Sequence, residues 1–356
     1  MAAFDTSASL TELTMAICDI ESVSGNEQEL ADRIEQTLID CDHLQVERDG
    51  NAIVASTNLG MDRVLIAGHI DTVPVAENLP TQLHHFEREQ VIFGRGTVDM
   101  KAGIAVMLKL AVELTEPKID VTWIFYDNEE VDSDLNGLGR LARNRPELLK
   151  GQFAVLCEPT SAMVEGGCNG TIRVEVRARG KKAHSARPWM GENAIHALLP
   201  ALRALSDYQP STVHVDGLDY RESINAVMAN AGIATNVIPD LATLMVNYRF
   251  APDKSAAEAE ALLREMFQGF ELEVVDAAEG ARPGLEIEVA KSFIQATGSN
   301  VNPKYGWTDV SRFSALGIPA VNYGPGDPSL AHADNENVPV GHIHDCFSGL
   351  RDWLSS

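Results

Sequence analysis

Three short apolar runs constrain this chain most: residues 64–67, 121–126 and 153–157. Each reads as a buried strand. Helical spacing lies before and between them, at residues 8–20, 26–39 and 102–114, with Ser24-Gly25-Asn26 as the start signal of the second. Strands that alternate with helices imply a mainly parallel sheet, so the first half is predicted to be α/β. Each strand stops at a polar cluster: His69 and Asp71, then Asp127-Asn128-Glu129-Glu130, then Glu158-Pro159-Thr160. In open α/β sheets ligands bind at the carboxyl ends of strands, which places the expected chemistry there.

The texture changes near Gly170. A strand at 172–178, a helix at 193–205, strands near 223–233 and 242–250, and a helix at 255–267 suit a small α+β domain with an antiparallel sheet. From about Leu285 the α/β texture resumes, with a helix near 286–297 and a strand at 318–323. A chain of 356 residues exceeds one ordinary core. The predicted organisation is a discontinuous domain of residues 1–169 and 286–356, with residues 170–285 inserted into it.

A formal net charge of −24 disfavours nucleic acids and anionic membranes as partners. No window approaches 18 uncharged apolar residues, so no membrane-spanning helix is expected. No secretory signal is read at the start of the chain. The five cysteines are odd in number and form no CxxC pair, which favours reduced thiols and a cytoplasmic protein. One basic stretch breaks the acidic trend. Between Gly170 and Met190, Arg173, Arg177, Arg179, Lys181, Lys182 and Arg187 face a single Glu175. Alternation with Ile172, Val174, Val176 and Ala178 suits a solvated strand face; Arg187, beyond the strand, is the better ligand candidate.

His69 and Asp71 are two apart on extended backbone and so point the same way. An imidazole there could hold a metal while a nearby carboxylate orients it; solvated strand-end residues are the alternative. Further donors are Asp99, the Glu129-Glu130 pair, Glu158 and His332. Two histidines and several carboxylates suit zinc, cobalt or manganese, and are too many for one tetrahedral ion. Two ions sharing a carboxylate would use them, a standard arrangement for hydrolysis. Adjacent glutamates on extended backbone point apart, so one could ligate while the other takes a proton from water. HExxH, Rossmann, phosphate-loop and GxSxG motifs are all missing from the sequence.

The segments Ala67-Gly-His-Ile-Asp-Thr-Val-Pro74, Gly94-Arg-Gly-Thr-Val-Asp-Met-Lys-Ala-Gly103, Tyr126-Asp-Asn-Glu-Glu130, Cys157-Glu-Pro-Thr160 and Leu330-Ala-His-Ala333 resemble, in order and spacing, the metal-site motifs of the dinuclear-zinc aminoacylase and carboxypeptidase family. The resemblance spans essentially the whole chain. It implies a zinc-peptidase-like catalytic domain with an inserted ferredoxin-like lid that also forms a homodimer. Asp99 would bridge two zinc ions, with cobalt or manganese as substitutes. His69 and Glu158 would complete one site, and Glu130 and His332 the other. Glu129 would be the general base and Asp71 the orienter of His69, and the Asp99–Met100 peptide bond would be cis.

Further segments resemble the branch of the family that cleaves the succinyl amide of N-succinyl-LL-2,6-diaminopimelate. They include Val73-Pro-Val-Ala-Glu-Asn-Leu-Pro80, Ala183-His-Ser-Ala-Arg187, Asn236-Val-Ile-Pro239, Asn247-Tyr-Arg249 and Tyr305-Gly-Trp-Thr308. That resemblance implies an anionic amide substrate attacked by metal-activated water. His184 would hold the oxyanion in the other subunit's active site, Arg249 a substrate carboxylate, and Asn236 and Thr308 polar substrate groups. Gly326-Asp-Pro-Ser329 departs from the wider family, which carries a substrate-contacting residue just before the second metal histidine. His342 and His344 fall in no motif and read as surface residues. Sister activities share the metal residues: N-acetylornithine deacetylase, a general N-acyl amino acid amidohydrolase, or a carboxypeptidase. A metal-binding module without turnover is the non-enzymatic alternative, and Glu129 speaks against it.

Overall fold

A computed structural model of the chain describes residues 2–86 and 89–356. Two compact units are present. One comprises Met1–Gly166, Gly284–Asn302 and Arg312–Ser356; the other comprises Gly167–Pro283 and Pro303–Ser311.

The first unit is built on an eight-stranded sheet. Arg63–His69 lies between Asp120–Tyr126 and Phe153–Leu156, parallel to both, and Ala320–Asn322 adds a further parallel strand. Ala52–Ser56 and Gln45–Asp49 extend one side antiparallel. His69 pairs in register with Tyr126 and Ala67 with Leu156, so the chain leaves all three central strands at one edge of the sheet. The helix Lys101–Glu113 is buried on nearly every side, with Ile104, Val106, Leu108 and Leu110 in the core. The returning C-terminal part closes the same core. Phe293 stacks edge-on to Trp353 at 4.9 Å and lies 6.0 Å from Phe153 of the central sheet. The C-terminal helix Val340–Leu354, absent from the sequence-based assignment, carries Trp353, exposed His344 and half-buried His342.

The second unit holds an antiparallel sheet in the order Ser223–Ala231, Leu241–Phe250, Gly170–Arg179, Glu271–Ala278. One face buries Ile172, Val174, Val176, Leu244 and Val246 in a core shared with Ala194, Ala201, Ala259 and Leu263 of the helices. The opposite face pairs Arg173 with Asp276, Arg177 with Glu273 and Arg179 with Glu271, which is the solvated strand face expected of that basic stretch. The single helix expected at 193–205 is two helices, Ala194–Ala197 and Leu199–Asp207. Pro200 lacks an N–H and its ring clashes with the preceding turn, so it sits where a new helix begins. Ser223–Ala231 is an edge strand, with Val227 and Met228 exposed.

All five cysteines are free, and burial pushes the Cys157 thiol up, as suits packing rather than nucleophilic use. Among the described residues no helix is long and apolar enough to cross a membrane.

Candidate metal centre

His69 ends its strand with both ring nitrogens engaged. Nδ1 lies 3.1 Å from the Asp71 carbonyl oxygen and 3.4 Å from Asp71 Oδ1. Nε2 lies 3.1 Å from Asp99 Oδ1 and 3.9 Å from Glu158 Oε1. A proton on Nδ1 held by Asp71 leaves the Nε2 lone pair facing the carboxylates, which is how a ligating imidazole is oriented. Asp71 does more than the sequence reading asked of it. Its Oδ1 accepts the Glu129 N–H at 2.9 Å and its Oδ2 the Glu130 N–H at 3.1 Å, while Ser24 Oγ donates to Oδ2 at 2.7 Å. One buried carboxylate therefore orients His69 and fixes the backbone of both glutamates.

Asp99 lies just before the helix Lys101–Glu113, at the cis bond Asp99–Met100. Its Oδ1 faces His69, and its Oδ2 lies 3.4 Å from Nε2 of His332. That same nitrogen is 2.9 Å from Glu130 Oε1. Gly103 makes close packing possible here: a Cβ would lie 2.4 Å from the carbonyl oxygen of Cys157, the residue before Glu158. Lys101 fastens the start of the helix, donating from Nζ to the Ile20 and Cys18 carbonyl oxygens at 2.6 and 3.3 Å.

Among the described residues, three groups of side chains bring ligand atoms within 4.8 Å of one another. They are His69, Asp99 and Glu158; Asp99, Glu130 and His332; and His69, Glu129 and Glu130. The first two share Asp99, which offers one oxygen to each histidine. Two imidazole nitrogens with a shared carboxylate and one further carboxylate apiece fit a pair of borderline divalent cations. Glu129 stands beside this pair of groups without belonging to either.

The electrostatics point the same way. Burial opposes charge on His69, but Asp71, Asp99 and Glu158 outweigh it and hold its pKa well above the ordinary histidine value. Asp99 and Glu130 raise His332 to about 10. Burial also opposes charge on Asp99, and the two imidazoles nevertheless hold it below the usual carboxylate range. The surrounding carboxylates thus favour a proton on both histidines in metal-free protein. Their folded values lie above the unfolded value of about 6.5. The stabilisation they give is complete below that pH and is lost as pH rises through the folded value, about 10 for His332. A cation needs the neutral ring and displaces these protons. Adding zinc to metal-free protein at pH 7 is expected to release about two protons, read with an indicator dye in weak buffer. Uptake without proton release would contradict the raised pKa of both rings.

The other candidate residues belong to the second unit. His184 is exposed and pairs with Val237, and the adjoining Ser185 N–H donates to the Asn236 carbonyl at 2.9 Å, so His184 and Asn236 lie on joined segments. His184 Nδ1 accepts the Ala186 N–H at 3.1 Å. That leaves the neutral ring's proton on Nε2, where it can be donated. Arg187 is exposed, one turn on. Arg249 is partly buried in the sheet, donates from Nε to Asn247 Oδ1 at 3.2 Å, and has its pKa lowered by burial and by Arg173. Among the described residues no carboxylate lies within ion-pair distance of it. Thr308 is buried and accepts the Ser311 N–H through its carbonyl. At the departing segment, Asp327 Oδ1 accepts the Ser329 N–H at 2.8 Å and caps a short turn.

The family model for Peptidase family M20/M25/M40 matches residues 65–356. The chain is 50% identical over 347 residues, 96% of its length and 97% of the relative's, to a Mycobacterium tuberculosis protein named for succinyl-diaminopimelate desuccinylase activity. It is 46% identical over 355 residues to the succinyl-diaminopimelate desuccinylase of Corynebacterium glutamicum, covering 96% and 95% of the two chains. The fold superimposes on a tripeptidase from Staphylococcus aureus with a TM-score of 0.79 at 21% identity, covering 97% of each chain. With its strand-end carboxylates and histidines gathered around Asp99, the chain belongs to Peptidase family M20/M25/M40.

Proposed function

We propose that this chain is a zinc-dependent amidohydrolase that converts N-succinyl-LL-2,6-diaminopimelate and water to succinate and LL-2,6-diaminopimelate, a step of diaminopimelate and lysine biosynthesis. The observation that carries the hydrolytic part is Asp99, shared between two ligand groups with one oxygen toward His69 and the other toward His332. The choice of substrate is supported by the two bacterial relatives, one at 50% and one at 46% identity over nearly the full chain.

His69, Asp99 and Glu158 would hold one cation, and Asp99, Glu130 and His332 the other. When bound, such a pair polarises the amide carbonyl and brings the pKa of water near neutrality. Glu129, held by its backbone on Asp71, takes a proton from the attacking water as its oxygen bonds to the amide carbon. The same carboxyl gives that proton to the leaving nitrogen as the C–N bond breaks. His184 of a second copy of the chain would donate Nε2–H to the developing oxyanion. Arg249 offers a planar fork to a substrate carboxylate, and Asn236, Thr308 and Arg187 supply further polar contacts. The net charge of −24 repels an anionic substrate at long range, so attraction is local, at the cations and these arginines.

Sister hydrolases would share the metal residues and differ in the acyl group they accept. The zinc-loaded protein is expected to prefer the succinyl substrate over N-acetylornithine by at least about tenfold in kcat/KM, since losing a charge-assisted hydrogen bond costs about 1.5–3 kcal/mol. A preference for the acetyl substrate would overturn the desuccinylase assignment and leave the hydrolase assignment standing.

A further inference from the structure

Glu336 lies outside all three ligand groups, yet its carboxylate is buried against the segment that carries Asp99. Oε1 accepts the backbone N–H groups of Val98 and Asp99 at 2.9 and 3.1 Å. Oε2 receives Arg95 Nη1 at 2.8 Å. The carbonyl oxygen of Glu336 accepts the Gly94 N–H at 3.0 Å. Arg95, itself buried, spends its other donors on main-chain carbonyls: Nε reaches Pro74 at 3.1 Å and Nη1 reaches Ala333 at 3.3 Å. Asn78 adds a parallel brace, accepting the Arg95 N–H through its carbonyl at 3.0 Å and donating from Nδ2 to the Asp334 carbonyl at 3.2 Å.

One ion pair thus joins the segment after His69, the segment bearing Asp99 and the segment bearing His332. The two cation sites do not depend on it equally. His69 ends a strand held on both sides by parallel ladders, and Glu158 follows the neighbouring strand, so the sheet positions both. His332 has no such support. It lies between the short turn Pro328–Leu330 and the strand Asn337–Pro339, with a φ of 64° that side-chain-bearing residues rarely adopt. Its loop is tied to the Asp99 segment by the ladder of Asn337–Pro339 with Gln90–Phe93 and, nearer His332, by contacts from Ala333 to Glu336 that converge on Arg95 and Glu336.

We propose that the Glu336–Arg95 pair is a positioning device for the cation site formed by Asp99, Glu130 and His332. The inference rests on the two-cation reading above and concerns residues that touch neither cation. Glu336 acts on the His332 loop through Arg95, and its bonds to the Val98 and Asp99 N–H groups tie that loop to the segment of the shared Asp99.

The test is a zinc titration of metal-free protein by equilibrium dialysis, repeated with cobalt and followed by absorption, for wild type and Glu336→Gln. Glutamine keeps an oxygen for the Val98 and Asp99 N–H groups and discharges the pair. The double variant Arg95→Met/Glu336→Gln removes the cation left buried, which on its own destabilises the fold. In both, the second equivalent of metal is expected to bind about 10–100-fold more weakly, with the first unchanged. Arg95→Lys keeps the charge but lacks the fork that spans Pro74 and Ala333, and is expected to fall between. Equal weakening of both equivalents, or no weakening of either, would overturn the inference. Wild-type protein that takes up fewer than two equivalents would overturn the two-cation reading instead.

Discussion

Replacing Glu129 with alanine is expected to lower kcat by about 10²–10⁴-fold while leaving both equivalents of metal bound. The expectation follows from where Glu129 stands. Its backbone is fixed by Asp71, and its carboxylate comes within 4.8 Å of His69 and Glu130. It belongs to neither of the two groups that share Asp99. Removing it takes away the group that carries the proton and leaves the ligand sets whole. Metal content and kcat measured on the same preparation separate the two roles. Full activity in this variant would eliminate Glu129 as the base, and loss of one equivalent of metal would make it a ligand.

Asp99→Ala is expected to be at least as damaging, for a different reason. Asp99 is the one side chain common to both ligand groups, and its two oxygens lie 3.1 and 3.4 Å from His69 and His332. Losing a directly ligating oxygen costs more than the roughly 10–100-fold in affinity that follows loss of an outer partner. Both equivalents should therefore be lost on dialysis, and turnover should fall by at least about 10³-fold. The contrasting variant is His332→Ala, which removes a ligand from one group only and should spare the first equivalent. An Asp99→Ala protein that still holds two equivalents would show that Asp99 bridges nothing.

Much of this centre is legible in the sequence because its residues stand at places the sequence marks. A buried strand shows itself as an apolar run, and its carboxyl end is where the run stops; His69 and Glu158 are found that way. Glu129 and Glu130 follow a strand end too, and Asp99 and His332 stand out as polar residues in short motifs whose order is distinctive. Ser24 stands in a helix start signal and Arg95 in the Asp99 motif, but nothing in either announces its contacts, and Glu336 carries no mark at all. Glu336 lies four residues past His332, but its partners Val98 and Asp99 lie 238 and 237 positions earlier, and only the fold brings them together. The missed strands have local causes too. Gln45–Asp49 is an edge strand of mostly polar residues, with no apolar run to announce it. Glu271–Ala278 alternates polar and apolar residues until Val275, where a shift in register leaves that valine 54% exposed and breaks the pattern. The helix break at Pro200, by contrast, could have been read from the proline itself.

The most direct measurement is succinate release from N-succinyl-LL-2,6-diaminopimelate by one preparation of wild-type protein, stripped of metal and then titrated with zinc. The expected result is no release without metal and full turnover once two equivalents are bound. Undiminished release in the presence of excess chelator, or none with two equivalents bound, would contradict the assignment.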